Sequence, residues 1–498
     1  MNVNPITRLD YPDPDVIRVE DTYYMVSTTM HFMPGCEILQ SFDLVHWEHA
    51  TYVYETLDHT DAQQLKSGQN IYGQGMWAAS LRYHEGRFYI CFVANDTRKT
   101  YLYTSEKIDG PWKKQLIEGF YHDGSLLFDE DGRSYIVYGN DEIWITELNE
   151  DLTAPKKDGL HRLLVSDHKN PELGYEGSHI QKINGYYYIF LVHSLRDRWM
   201  RTEACFYSDS LEGEFTGGDV LCDDCGYCGQ GVAQGGIVDT PDGKWYAMLF
   251  QDSGAVGRIP ILLPVTWKDH FPIFGQNGHV PEEIEVHSTR PGYIYQPLVG
   301  SDDFCNGLLP RWQFNHDPDP RYYHLDALQG TYTITTREVC TELTQAVNTL
   351  TQRMSYPSCA AEVTVDASAL KEGDVAGLCA LQGCYAAVGI TKHHGKYEVL
   401  MLDKKEDGIL DMTEGTVVES HQMDFRLEAD FCNMKDEARC YYRVNKGDWL
   451  PIGTVHKLYF KLDHFTGCRF GLFCYAAEET GGSACFRDFK YYDVDEIS

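Results

Sequence analysis

The sequence predicts an all-β protein, a five-bladed β-propeller followed by a β-sandwich. Three observations predict it. One strand–turn–strand unit recurs five times before about residue 275. Hydrophobic runs there last only four to eight residues, with no amphipathic helix of ordinary length. Beyond Leu308 the texture changes to period-two alternation. The expected boundaries are 1–307 for the propeller, 308–325 for a traverse and 326–498 for the sandwich.

Each unit is a short strand, a turn bearing Gly or Asp, and an aromatic-rich strand. The copies are PDVIRVEDTYYMV from Pro14, AASLRYHEGRFYICFV from Ala78, GSLLFDEDGRSYIVYG from Gly124, GSHIQKINGYYYIFLV from Gly177 and GGIVDTPDGKWYAMLF from Gly235. A repeated all-β unit cannot bury its face alone, and radial stacking solves this with one blade per unit.

The register is tight. Trp77, Asp123, Glu176 and Gln234 each stand before the first strand of their unit, and Tyr89, Tyr135, Tyr188 and Tyr246 follow twelve residues later. Asp13 holds the same place in the first unit, with Tyr24 eleven residues on. Residues preceding the innermost strands converge at one mouth of a propeller channel, so three carboxylates should meet there from three blades. Asp is common at strand-start turns, but turn preference does not explain equivalent positions filled by Asp, Trp, Asp, Glu and Gln.

In the second half TYTITT at Thr331, AAEVTVDA at Ala360, CYAAVGIT at Cys384, KYEVLML at Lys396, MDFRLEADF at Met423, CYYRVN at Cys440 and CRFGLFCYA at Cys468 read as sandwich strands between Gly, Asp and Asn turns.

Composition narrows the partners. At 43% hydrophobic residues with 34 tyrosines and 9 tryptophans, the chain of 498 residues is not disordered. Its 75 acids against 42 bases give a net charge of −33, which repels phosphate backbones and excludes nucleic acid. That charge favours solubility and is compatible with a homo-oligomer. No run of about 18 apolar residues exists, so no membrane partner is expected. The N-terminus lacks a signal-peptide pattern, so a cytoplasmic location is expected, with the 16 cysteines as reduced thiols.

Two carboxyls across a bound sugar are the minimum equipment for hydrolysing a glycoside. One must be protonated for the leaving oxygen, and the other ionised to attack or to activate water. A third can hold the acid's proton on by like-charge repulsion. Asp13, stiffened between Pro12 and Pro14, suits a base that holds one water in line. Glu176, in YEGSH, has the reach of a proton donor, and Asp123, in HDGS, suits its modulator. Asp15 competes with Asp13, but Asp13 shares the register of Asp123 and Glu176.

The chain resembles glycoside hydrolase family 43, the β-xylosidase and α-L-arabinofuranosidase type. The resemblance rests on NPITRLDYPDPDVIRVEDTYYMVSTTMHFMPG, MWAASLRYHEGRFY, HDGSLLFDEDG, YEGSHIQKINGYYY and GGIVDTPDGKWY. It implies a C-terminal jelly-roll or concanavalin-like sandwich and an inverting mechanism. Asp13 falls on the family's general base, Asp123 on its pKa modulator and Glu176 on its general acid. It also implies a sugar-binding Trp77 and a pocket wall formed by His31, Phe32 and Met33, where histidine and methionine replace the glutamate and phenylalanine of many xylosidases. Arg258 falls on a pocket arginine able to bind a sugar hydroxyl or hold Asp123 ionised. Gln234 replaces a channel histidine that in several relatives meets a calcium or its waters. A neutral glutamine is a poorer metal contact, so no cofactor is required and calcium is disfavoured.

The expected activity is exo-acting release of terminal β-D-xylose, α-L-arabinofuranose or both from xylan- or arabinoxylan-derived oligosaccharides. The alternatives are an endo-acting or other-linkage pentosan or arabinan hydrolase of the same family, or a non-catalytic carbohydrate-binding propeller. CDDCGYCG places Cys222, Cys225 and Cys228 at overlapping CxxC spacings, with His193 and Cys205 as further candidate ligands, but it reads as a cysteine-rich loop. His393 and His394 read as a surface turn. No phosphate-binding glycine loop and no serine nucleophile elbow occurs.

Overall fold

The computed structural model describes residues 2–493. Five four-stranded antiparallel sheets occupy 15–54, 80–117, 125–166, 176–221 and 233–274, hereafter blades 1 to 5. Their innermost strands are Asp15–Val19, Ser80–His84, Ser125–Phe128, Glu176–Ile183 and Ala233–Asp239. Each lies beside the next and the fifth beside the first, which closes the ring. Asn2–Val3 pairs with Glu283–Ile284, tying the start of the chain to its exit from blade 5.

The repeat is local chemistry made regular. In blade 4, Asn184 and Gly185 both take positive φ (51° and 84°) between Ile183 and Tyr186, the backbone of a two-residue hairpin turn. The strand that follows, Tyr186–Ser194, is buried beyond its first residue. Tyr188 and Phe190 pack there against Ala247 and Leu249 of blade 5, so each unit supplies half of an interblade core. Radial stacking thereby does for these sheets what no single blade can do.

The sandwich stacks a seven-stranded sheet on a nine-stranded one, with Phe425, Phe470 and Phe486 among its core. The propeller enters it. Phe32–Met33 pairs with Phe314 and Asn315 as the end strand of the nine-stranded sheet, and Ala255, Val256 and Ile259 of blade 5 join the sandwich core. The stretch 308–325, expected as a traverse, carries the sandwich strand Gln313–Asn315 and most of Tyr323–Asp326. Three or four residues among prolines and aspartates are too few to show alternation, and pairing with neighbours makes them strands. The end of the expected sandwich, 494–498, lies outside the described residues.

Candidate active site

Four of the five register residues reach one mouth of the channel by two backbone devices. Asp13 and Asp123 sit two residues before their strands at φ values of 52° and 48°, a left-handed conformation uncommon outside glycine. Glu176 and Gln234 are the first and second residues of their strands rather than preceding them. There one extra residue is inserted between Glu176 and His179, and again between Ala233 and Gly236. Bulges of this kind re-aim side chains and gather at functional sites. Gln234 is also left-handed, at φ 62°. Three strained, equivalent positions around one cavity mark it as the site the fold is built to hold.

That cavity, of about 190 Å³, is lined by Asp13, Asp123, Glu176, Trp77, Gln234 and Arg258 among others. Its carboxylates occupy three different environments. Asp13 is 2% exposed. Its Oδ2 accepts from Thr28 Oγ1 at 2.5 Å, and its Oδ1 lies 2.6 Å from Arg258 Nη1. Pro12 fixes the approach, its carbonyl accepting from Ser27 Oγ and Thr28 N. Arg258 is held in turn by Asp252 at 3.2 Å and lies over the Phe465 ring at 3.8 Å. Arg201 pairs with the other oxygen of Asp252, and burial next to Arg258 lowers its pKa to about 9.

Asp123 is buried, and Gly177 N donates to its Oδ2 at 3.0 Å. Burial, reinforced by the charges of Glu176 and Asp13, pushes its carboxyl up to about 6 despite the imidazole of His122. Glu176 accepts from Asn140 Nδ2 at 2.8 Å. Burial pushes it upward, but His122, Arg201 and Arg258 outweigh that and leave it below its ordinary value. His122 Nε2 stands 3.5 Å from Asp123 Oδ2 and 3.6 Å from Glu176 Oε2. The charge of Asp123 raises the imidazole to about 9 against the effect of burial.

Trp77 walls the cavity, its Nε1 donating to Gly73 O at 3.2 Å and its ring edge-on to Phe465 at 5.3 Å. Gly73 sits at φ +70° with its open side against the sandwich, where a Cβ would come within 2.0 Å of Asp463 O. That close approach seats the sandwich loop 458–468 against the propeller, and its Leu462 and Phe465 complete the wall.

The predicted wall of His31, Phe32 and Met33 is a correction. All three are buried and none lines the cavity. Phe32 and Met33 are drawn off as a strand of the sandwich sheet, with Arg469 3.4 Å above the Phe32 ring. His31 packs against His316, His464 and Tyr72. A second correction concerns Arg258, whose carboxylate partners are Asp13 and Asp252, not Asp123. Asp15, the competitor of Asp13, lies below the mouth in a bond to Arg82 at 2.7 Å and is absent from the cavity lining. Sequence reasoning missed His122, Arg201, Trp199, Leu173, Leu462 and Phe465, all of which line the cavity. Of these only His122 carried a signal, as the residue directly before a register aspartate.

Calcium takes six to eight oxygen ligands. Gln234 offers one neutral oxygen, and Asp15 is engaged by Arg82, Leu81 N and His179. The cysteine loop 222–230 is shaped by Asp223 and Asp224, which accept from the backbone N–H groups of Cys225, Gly226 and Gly229. His193 is engaged by Asp167 and Asp219, and Cys205 is buried within blade 4.

Carboxylates from three blades, each in its own charge environment, thus meet around one small walled cavity. The chain belongs to glycosyl hydrolases family 43, whose pattern matches residues 3–272, and the beta xylosidase C-terminal concanavalin A-like domain matches 301–492. It is 27% identical to a beta-xylosidase of Formosa agariphila over 99% of this chain and 89% of that one. It is 26% identical to a non-reducing end alpha-L-arabinofuranosidase of Bacteroides ovatus over 66% and 63% of the two chains. A bifunctional GH43–CE structure from Bacteroides eggerthii superposes with a TM-score of 0.91 at 42% identity, over 99% of this chain and 63% of that longer one. A GH43 enzyme engineered in its active site for both endo-xylanase and exo-arabinofuranosidase activity superposes at 0.88 with 27% identity, over 99% of both chains.

Proposed function

We propose that the protein is an exo-acting, inverting hydrolase that releases terminal β-D-xylose or α-L-arabinofuranose from xylan- or arabinoxylan-derived oligosaccharides. The observation that carries this reading is the meeting of Asp13, Asp123 and Glu176 in one cavity closed on one side by Phe465 and Leu462. At about 190 Å³ it is smaller than the roughly 300–1,000 Å³ of pockets for drug-sized ligands, a size for one sugar ring rather than a chain passing through. Relatives named for xylosidase and arabinofuranosidase activity support pentoses as the sugar.

Each group has a role its surroundings suit. Arg258 and Thr28 fix Asp13 so that one free lone pair can take a proton from water as that water attacks the anomeric carbon. Glu176 gives a proton to the departing glycosidic oxygen as the carbon–oxygen bond breaks. Asp123 bonds Gly177, the residue after Glu176, and its charge opposes loss of the acid's proton. Trp77 supplies the flat face that receives the ring.

Proton NMR of the products tests this, with xylobiose and an arabinofuranosyl-substituted xylo-oligosaccharide as substrates. Early appearance of α-xylose from the β-linked disaccharide supports inversion. Initial β-xylose overturns it, and internal cleavage of a longer chain overturns exo action.

A further inference from the structure

We propose that His122 is the proton partner of Glu176: imidazole Nε2 and carboxylate Oε2 share one proton beside Asp123, and the enzyme turns over while the cluster holds it. This rests on the reading of Glu176 as the acid.

The geometry is specific. His122 Nε2 is nearly equidistant from Asp123 Oδ2 and Glu176 Oε2, and one side-chain nitrogen or oxygen of each of the three residues lies within 4.8 Å of the others. Nε2 is buried without a hydrogen bond of ordinary length. The ring is held edge-on to Trp77 at 6.1 Å, and the backbone is anchored by Gly139 N donating to the His122 carbonyl. Catalytic hydrogen bonds are often long in empty sites and tighten around substrate. An imidazole placed here between two carboxylates has one evident use, which is to manage a proton.

The chemistry supplies the need. A general acid requires a proton on Glu176, yet its surroundings favour the ionised form in the empty site. The proton resides instead on the neighbouring imidazole, raised to about 9 chiefly by Asp123. Transfer along Nε2–H to Oε2 converts an imidazolium–carboxylate pair into a neutral imidazole and a carboxylic acid, with no change in total charge. Glu176 then protonates the leaving oxygen as the carbon–oxygen bond breaks. The attacking water gives its proton to Asp13, solvent removes it, and solvent returns one to His122. The other charged groups acting on the cluster are Asp13, which favours keeping the proton on His122, and Arg201 and Arg258, which favour the ionised form of Glu176. Three coupled groups titrate as a unit, so the alkaline limb of activity reports the last proton of the cluster.

The test is the pH profile of kcat/KM on xylobiose for wild type and the His122→Asn and His122→Gln variants, with circular dichroism at each pH. With the imidazole gone, Asp123 and Glu176 retain no group that binds a proton so far into alkali. The alkaline limb should move down by one unit or more, so activity at pH 8 falls at least tenfold further than activity near pH 5.5 does. A limb that stays in place or moves up overturns the proposal, as does an equal loss at every pH. Histidine NMR gives a second readout, in which Glu176→Gln should lower the pKa of His122. An unmoved His122 resonance in that variant also overturns the proposal. Failure of the acid reading looks different, because Glu176→Gln would then keep full turnover of xylobiose whatever His122 does.

Discussion

His122 and Phe465, the chain neighbour of His464, both pack on Trp77 in the cavity wall, yet the surroundings of the two histidines push them in opposite directions. At the propeller mouth two carboxylates lie within 3.6 Å of His122 and raise it to about 9. At the seam with the sandwich, His464 joins His31, His316 and Tyr72 in a buried nest with ring centroids 4.6–6.0 Å apart. Burial drives His316 down to about 3 and His464 to about 4, and His31 well below its ordinary value. The ring nitrogens of His464 have no hydrogen-bond partner among the described residues. The same side chain is thus a stored proton where carboxylates face it and a neutral packing ring where they do not. Burial alone does not predict charge; the facing groups decide.

The largest expected effect breaks the comparison at the mouth. Asp13→Asn and Glu176→Gln should each lower kcat on xylobiose by roughly 10²- to 10⁴-fold, the usual worth of a positioned acid or base. Both keep side-chain shape, so melting temperatures should stay within a few degrees. Steady-state kinetics beside thermal melts checks both halves. A Glu176→Gln enzyme retaining more than a tenth of wild-type kcat would remove the acid from that position.

The next effect sits at the seam and is a matter of pH. His316 and His464 have folded-state pKa values below 6.5, so the unfolded chain takes up their protons first. Their contribution to stability is full above about pH 6.5 and is lost as pH falls toward 4. Asp10, Asp374 and Asp436, pushed up to about 6 by burial, act in the opposite sense between about 6 and 3.8. The wild-type slope therefore mixes both, and a variant separates them. His464→Phe should lose about 2 kcal/mol less stability than wild type between pH 7 and pH 5. Urea unfolding at the two pH values measures this, and equal losses would show that the nest does not titrate. His122 has the reverse sign, so the destabilisation by His122→Asn should be present at pH 6 and vanish as pH passes 9.

The same contrast explains what was legible in the sequence. The blade repeat and the register of Asp13, Trp77, Asp123, Glu176 and Gln234 could be read because each depends on a short local pattern. The sandwich strand Asp374–Leu381 could not, since all eight residues are buried and no alternation survives. His31, Phe32 and Met33 were misplaced because their partners, Asn315, His316 and His464, lie more than 280 residues away. Phe465 and Leu462 carried no local motif. They reach the cavity only because the sandwich folds its loop onto Gly73.

The smallest effect sharpens the comparison at the point where the two regions meet. Phe465 faces Arg258 and Trp77 in the cavity, while the adjacent His464 faces the nest. Phe465→Ala removes an apolar wall and the ring beneath the guanidinium, but Asp13 and Asp252 still hold Arg258. The loss falls on ground state and transition state alike, so KM should rise about 5- to 30-fold while kcat changes less than about threefold. The melting temperature should hold within a few degrees, because the nest that anchors the loop is untouched. A collapse of kcat together with the melting temperature would mean that wall and nest are one cooperative unit.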